Sequence, residues 1–213
     1  MIASEDVREE LARIVPRRAC DQRAQLSALF HSAGSLHLRA GGDWALHLDL
    51  GSGAAARRAF TLLRDAGLRS EIRTYRRRAF DRATRYQLHV AGDADALRVL
   101  GAAGVVDRRH APLERPPRRV VGRACCRASY LRGAFLGGGS LSVSRSPHLE
   151  LRTASRWSCA ERLVRTRFAW SAFARRFARA LVSATTARSS SASTVSDAPM
   201  TASTDSIASQ LFA

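Results

Sequence analysis

Side chains able to grip a polyanion recur at every second position in short stretches of this chain: His37 and Arg39, then His47, then Arg73 and Tyr75, then Arg85, Gln87 and His89. Guanidinium groups serve phosphate oxygens or guanine edges, and a two-residue period sets all of these groups on one face if the stretches are strands. The plain alternative is a solvated sheet face in an arginine-rich protein. Arg76, Arg77 and Arg78 form a compact loop run where like charges repel unless phosphate neutralises them, although a solvated loop is the more common case.

Covalent and metal chemistry find no such arrangement. The six histidines are scattered without ligand spacing, and no serine, histidine and acid set is present. GGGSLSVS, starting at Gly137, lacks the lysine of a phosphate loop, and its glycines follow a helix where such a loop should follow a strand. Cys125 and Cys126 are adjacent while Cys20 and Cys159 stand alone, so none makes the paired spacing of a zinc site and all four read as small buried hydrophobes. Neither a metal nor a cofactor is expected.

The chain has 213 residues, 46% of them hydrophobic, which suffices for a core in one large domain or two small ones. Its net charge is +17 and every basic residue other than histidine is arginine, so nucleic acid is the leading partner class and an anionic membrane surface the lesser one. Abundant alanine beside the missing lysine points to G- and C-rich codons, so only part of that charge is a functional signal. The acidic start MIASEDVREEL lacks the marks of a secretion signal, and no apolar run reaches about 18 residues. The expectation is a cytoplasmic, nucleoid-associated protein without membrane contact.

The elements that position these groups are organised around two stretches 105 positions apart, LSALFHSAGS from Leu26 and LRGAFLGGGS from Leu131. Each is an apolar helical run ending in small residues, glycine and serine, then opening into alternating residues. Small side chains let two helices approach until their backbones nearly touch, and something must offset the helix propensity that glycine costs. A crossing at Ala28 and Gly133, with Ala33, Gly34, Gly137, Gly138 and Gly139 at the ends, would do so. For either copy alone, an ordinary glycine-ended helix is the competing reading. The repetition favours one folded unit written twice.

These stretches resemble the two motif helices of the LAGLIDADG homing endonuclease fold. DVREELARIVPRRAC, AGSLHL and CCRASYLRGAFLGGGSLS further resemble the WhiA family of bacterial sporulation and cell-division transcription regulators, over roughly residues 4–153. The resemblance implies an α+β pseudo-two-fold duplicate, with helix, two strands, helix, two strands and helix per half and the second half incomplete. It implies a DNA-binding regulator whose main DNA reader is a helix-turn-helix domain missing here, with a WhiB-like iron–sulfur regulator as partner. In the nucleases an acid before the closing glycine binds the catalytic metals. Those positions are Ala33 and Gly138 here, so the expectation is a non-enzyme. The alternatives are an active metal-dependent nuclease and a protein-interaction module without DNA binding.

In chain order, residues 1–20 read as an N-terminal helix capped by Asp6 and ended by Pro16, and 21–106 as the first half. Within it, helices span Asp21 to Ala33 and Ala54 to Ala66, Asp93 caps a third, and Gly67 and Gly104 close two of them. Leu36, Leu38, Trp44, Leu46, Leu48 and Leu50 face inward on a hairpin, and strands from Ser70 to Arg76 and Thr84 to Val90 form a second pair. Residues 107–120 are a proline-rich linker, and 121–153 begin the second half with a helix from Val121 to Leu136.

Residues 154–213 match nothing in the resemblance and read as the product of a frameshift near residue 154. A basic helix of arginine and aromatic residues, Arg162 to Arg179 at its centre, precedes a disordered tail from Thr185. Half a second repeat predicts too little sheet to cover Leu131 to Leu136, and hence marginal stability.

Overall fold

The structure, a computed structural model, describes residues 4–38, 44–76, 83–109, 111–142 and 148–152. The elements are α1 (Ser4–Arg13), α2 (Ala19–Ala33), β1 (Gly34–Leu38), β2 (Trp44–Leu50), α3 (Gly53–Asp65), β3 (Ser70–Arg76), β4 (Thr84–Ala91), α4 (Ala94–Ala102), α5 (Arg118–Val121), α6 (Ala124–Gly138), β5 (Gly139–Ser142) and β6 (His148–Leu151). From α2 to α4 this is the order expected of one repeat. Helix α6 with β5 and β6 begins it again.

Local chemistry sets most of the boundaries. Ser52 caps α3 by accepting from the Ala55 N–H at 3.3 Å, and Asp93 caps α4 by accepting from Ala96 at 2.7 Å. Gly67 and Gly104 follow α3 and α4 with φ of +83° and +67°, a region glycine enters without steric cost. Asp6 is the third residue of the first helix and not the residue before it: α1 already includes Ser4, whose hydroxyl donates to the Leu141 carbonyl at 3.1 Å and accepts from its N–H at 2.9 Å. Tertiary pairing with β5 thus moves the helix start. The single helix expected from Val121 to Leu136 is two, because the chain breaks at Gly122 between α5 and α6.

The first repeat forms a four-stranded antiparallel sheet of order β1-β2-β4-β3. Leu46, Leu48 and Leu50 pair in register with Val90, Leu88 and Tyr86, so an apolar stripe crosses the two central strands. It packs under Leu26, Leu29 and Phe30 of α2, Leu62 and Leu63 of α3 and Leu100 of α4, all buried. Burial of this kind contributes roughly 25 cal/mol per Å² of apolar surface. The outer strand β3 lies beyond this cover, leaving Ile72 41% exposed.

The short second hairpin, β5 with β6, has its own small core of Val7, Phe135 and Leu141, supported by Leu11, Leu149 and Leu151. Phe135 is therefore buried, and Leu136 is buried in the main core, contrary to the expectation that this stretch lacks cover. Helix α1 supplies what the short sheet does not. The Arg58 guanidinium holds it from the other side, donating from Nε to the Ala12 carbonyl at 2.9 Å at the end of α1. Burial lowers the pKa of Arg58 from its ordinary value, with Asp65 opposing the shift. The tail from residue 154, its basic segment and its expected disorder lie outside the described residues.

Candidate nucleic-acid interface and helix seam

Helices α2 and α6 run side by side at equivalent positions of the repeat. Both have fifteen residues, both start 105 positions apart, and both end on a glycine whose N–H donates to a phenylalanine carbonyl: Gly34 to Phe30, Gly139 to Phe135. These end glycines are extended, with φ of −82° and −81°, so they are not left-handed caps. The small residues serve proximity instead. A β-carbon on Gly133 would lie 2.5 Å from the Gln25 carbonyl oxygen and 2.9 Å from the Ala28 β-carbon. One on Gly137 would collide with the Ser32 hydroxyl, and one on Gly138 would lie 2.7 Å from the Arg152 carbonyl oxygen.

Cross-seam polar contacts tie the pair together. Ser129 donates to the Asp21 carbonyl at 2.7 Å, and Tyr130 lies 3.4 Å from the Nδ1 of His31. His31 is buried, with Nε2 3.0 Å from the Leu113 carbonyl, so Nε2 carries the proton and anchors the inter-repeat segment to α2. Burial lowers the His31 pKa, outweighing the hydrogen bonds that raise it, and burial also pushes the Tyr130 phenol up to about 12. At the far ends of the seam stand Ala33, 9% exposed, and Gly138, neither offering a carboxylate. The one acid within either helix, Asp21, lies at the opposite end.

The sheet face turned away from the helices is where the polyanion-binding candidates gather. The register aligns His47 with His89, Arg73 with Gln87 and Tyr75 with Arg85, and sets His37 beside His47 across β1 and β2. The rings of His37 and His47 are 4.2 Å apart between centroids and those of His47 and His89 are 4.8 Å apart, a row across three strands. Arg76 departs from this set. It is the last residue of β3, pairs with Thr84 and shares the alternation of Ile72 and Thr74, which puts it on the other side of the sheet. Arg39, Arg77 and Arg78 lie outside the described residues.

Two carboxylates absent from the sequence-based set share the face. Asp49 accepts from Arg85 Nε at 3.1 Å and from the Tyr75 hydroxyl at 2.8 Å, while Glu71 pairs with Arg73 at 2.9 Å. Burial, then the hydrogen bond to Asp49, raises the Tyr75 pKa. Their positions could have been read from the same two-residue alternation, because Asp49 follows His47 by two and Glu71 precedes Arg73 by two. The cysteines also differ from expectation. Cys126 is buried but Cys20 and Cys125 are partly exposed, and the three meet where α2 and α6 begin. Among the described residues, no helix is long and apolar enough to cross a membrane.

The family model of the WhiA N-terminal LAGLIDADG-like domain matches residues 19–101, and that of the WhiA LAGLIDADG-like domain matches residues 127–172. Together they cover more than half of the chain, and the second runs past the point where the sequence reading broke off. The probable cell division protein WhiA of Heliobacterium modesticaldum is 37% identical over 155 residues, which are 72% of this chain and 49% of that protein. The protein of the same description from Syntrophomonas wolfei is 34% identical over 155 residues, 71% of this chain and 49% of that protein. The chain thus spans about half the length of the curated relatives it matches. A crystal structure of the N-terminal LAGLIDADG domain of a WhiA protein superposes with a TM-score of 0.52 at 19% identity, covering 71% of this chain and 66% of that one. Paired small-residue helices, a helix-covered antiparallel sheet in the repeat order and these matches lead to one conclusion: the chain belongs to the WhiA family and carries its LAGLIDADG-like fold.

Proposed function

We propose that this chain is the non-cleaving, DNA-contacting part of a WhiA-type transcription regulator of sporulation and cell division, acting in the cytoplasm at the nucleoid. The observation that carries the reading is the outer sheet face, which His37, His47, His89, Gln87, Arg73 and Arg85 share across four strands. In sequence, Arg39 falls between β1 and β2 and Arg77 between β3 and β4. Hydrogen-bonding side chains on such a surface suit phosphate and base-edge contacts. Cleavage is not part of the role, because Ala33 and Gly138 cannot hold the divalent metals that activate water in the nucleases of this fold. Promoter choice then rests mainly with a helix-turn-helix domain, and a WhiB-like iron–sulfur regulator is the partner.

A second reading has its own support. Both described arginines on the face are paired with carboxylates, which lowers the field available to phosphate and suits a protein-binding surface. DNA affinity of the full chain measured against salt separates the two. Phosphate contact requires a steep fall of the binding constant with rising salt, and a Arg73→Ala, Arg85→Ala double variant must flatten it. A slope unchanged by that variant favours the protein-interaction reading. Supercoiled DNA incubated with magnesium should remain intact; nicking abolished by a carboxylate substitution would restore the nuclease alternative.

A further inference from the structure

Three thiols and a carboxylate meet at the end of the seam opposite Ala33 and Gly138. Cys20 and Asp21 are the second and third residues of α2, and Cys125 and Cys126 are the second and third of α6, the same 105-residue offset that relates the rest of the two helices. Each repeat therefore brings two potential ligands to one point.

Their sulfur and carboxylate atoms all lie within 4.8 Å of one another. Cys125 Sγ and Cys126 Sγ are 3.9 Å apart, and Cys20 Sγ is 3.6 Å from Asp21 Oδ1. A tetrahedral zinc ion with bonds of about 2.3 Å to sulfur sets its sulfurs roughly 3.8 Å apart. A disulfide needs about 2.05 Å, so the vicinal pair stands at coordination spacing.

We propose that Cys20, Cys125 and Cys126, with Asp21, form a binding site for a single zinc-type divalent cation that clamps the start of α2 to the start of α6. Three sulfurs select a soft or borderline metal over magnesium or calcium, which take oxygen ligands. Three thiolates and a carboxylate around a divalent ion leave a net charge of two minus, and the surroundings suit that charge. Both helix N-termini point their positive ends there, neither has a side-chain cap, and the residues preceding the helices are Arg18 and Arg123. In α3 and α4, by contrast, Ser52 and Asp93 occupy that role.

Burial, then the neighbouring thiols Cys20 and Cys125, pushes the Cys126 thiol up to about 12. A coordinated thiol is deprotonated outright, so one cation plus three thiols and one carboxylate gives the complex and three protons released to solvent. Binding therefore tightens as pH rises. The partial exposure of Cys20 and Cys125 provides the way in.

The test uses the full chain, stripped of metal and reduced with a phosphine, titrated with cobalt(II) and then zinc. One equivalent of cobalt should produce the visible bands of tetrahedral coordination and the near-ultraviolet charge-transfer band of thiolate ligation, both bleached by zinc. About three protons should be released per metal in weakly buffered solution. C20S, C125S and C126S should each weaken zinc binding, measured against a chromophoric chelator, by more than about a hundredfold, beyond the range that losses outside the coordination shell cause. C159S should leave the titration unchanged. Absence of the charge-transfer band in the unsubstituted chain overturns the proposal, as does full-strength binding in C20S or loss of binding in C159S. Should a cysteine variant fail to fold, the cobalt spectrum and proton count of the unsubstituted chain decide the matter alone.

Discussion

Asp49 and Arg85 face one another across the central strand pair of the sheet, with the arginine Nε 3.1 Å from the carboxylate. The same carboxylate holds Tyr75, so a single acid restrains two groups on the face proposed to meet DNA. Neither partner is fully buried, and such a pair contributes under about 1 kcal/mol to stability. Its larger effect is on the charge that the face presents.

Asp49→Asn should therefore strengthen DNA binding. Removing one negative charge and freeing one guanidinium is expected to raise affinity severalfold at low salt and to steepen the log–log salt dependence by up to about one unit. Binding measured by fluorescence anisotropy between low and moderate salt gives both quantities. No change in either would remove Arg85 from the contact surface.

Two glycine substitutions should move stability in opposite directions. Gly101→Ala, in α4 with nothing within 4 Å of the new carbon, should stabilise by about 0.5–1 kcal/mol through helix propensity. Gly133→Ala receives the same propensity gain but drives a methyl group against the Gln25 backbone, and overpacking of this kind costs about 1–3 kcal/mol. Thermal melts of the two variants beside the parent chain check the contrast. A stabilised Gly133→Ala would mean that the seam is looser than the structure has it.

Gln25 is fully buried in α2, and its side-chain amide has no hydrogen-bond partner among the described residues. Burying an unpaired amide costs about 1–3 kcal/mol. Gln25→Met, close in shape and without polar hydrogens, should raise the denaturation midpoint at unchanged m-value, by about 1–2 kcal/mol. A lower midpoint would indicate that a buried water pairs with the amide and is lost in the variant.

His31 makes stability depend on pH. Burial lowers its folded-state pKa below the ordinary 6.5, so the folded chain binds fewer protons than the unfolded one as pH falls below 6.5. The stability associated with neutral His31 is complete above that value and is lost as pH falls through the folded-state pKa. His31→Gln, neutral throughout, should show a shallower decline in melting temperature between pH 7.5 and 5.5 than the parent chain. Equal slopes in that window would assign the pH dependence to other groups.

How much of this was legible depends on the range of the interaction involved. The Asp93 cap and the closures at Gly67 and Gly104 are settled within a few residues and were readable from the chain. So was the alternation that sets His47, Arg73, Arg85, Gln87 and His89 on one face. The strand end at Arg76 was readable too, but grouping Arg76 with Arg77 and Arg78 as one loop run hid that it closes β3 and lies on the opposite side of the sheet from Arg73 and Tyr75. The two acids of the face were readable by the same rule but passed over, since a list built on basic groups does not look for their partners.

The sequence by itself determined the repeat, the fold family and the absence of an acid at Ala33 and Gly138, because these depend on residue type at fixed spacing. Tertiary structure alone decided which charges neutralise one another. It also decided that α1 covers Phe135 and that thiols from two repeats converge. Those outcomes join groups 36 and 131 positions apart, as in the Asp49–Arg85 pair and the Arg8 bond to the Gly139 carbonyl. Such pairings follow from strand register and helix crossing, which arise from packing the whole chain at once and leave no mark in any single stretch of it.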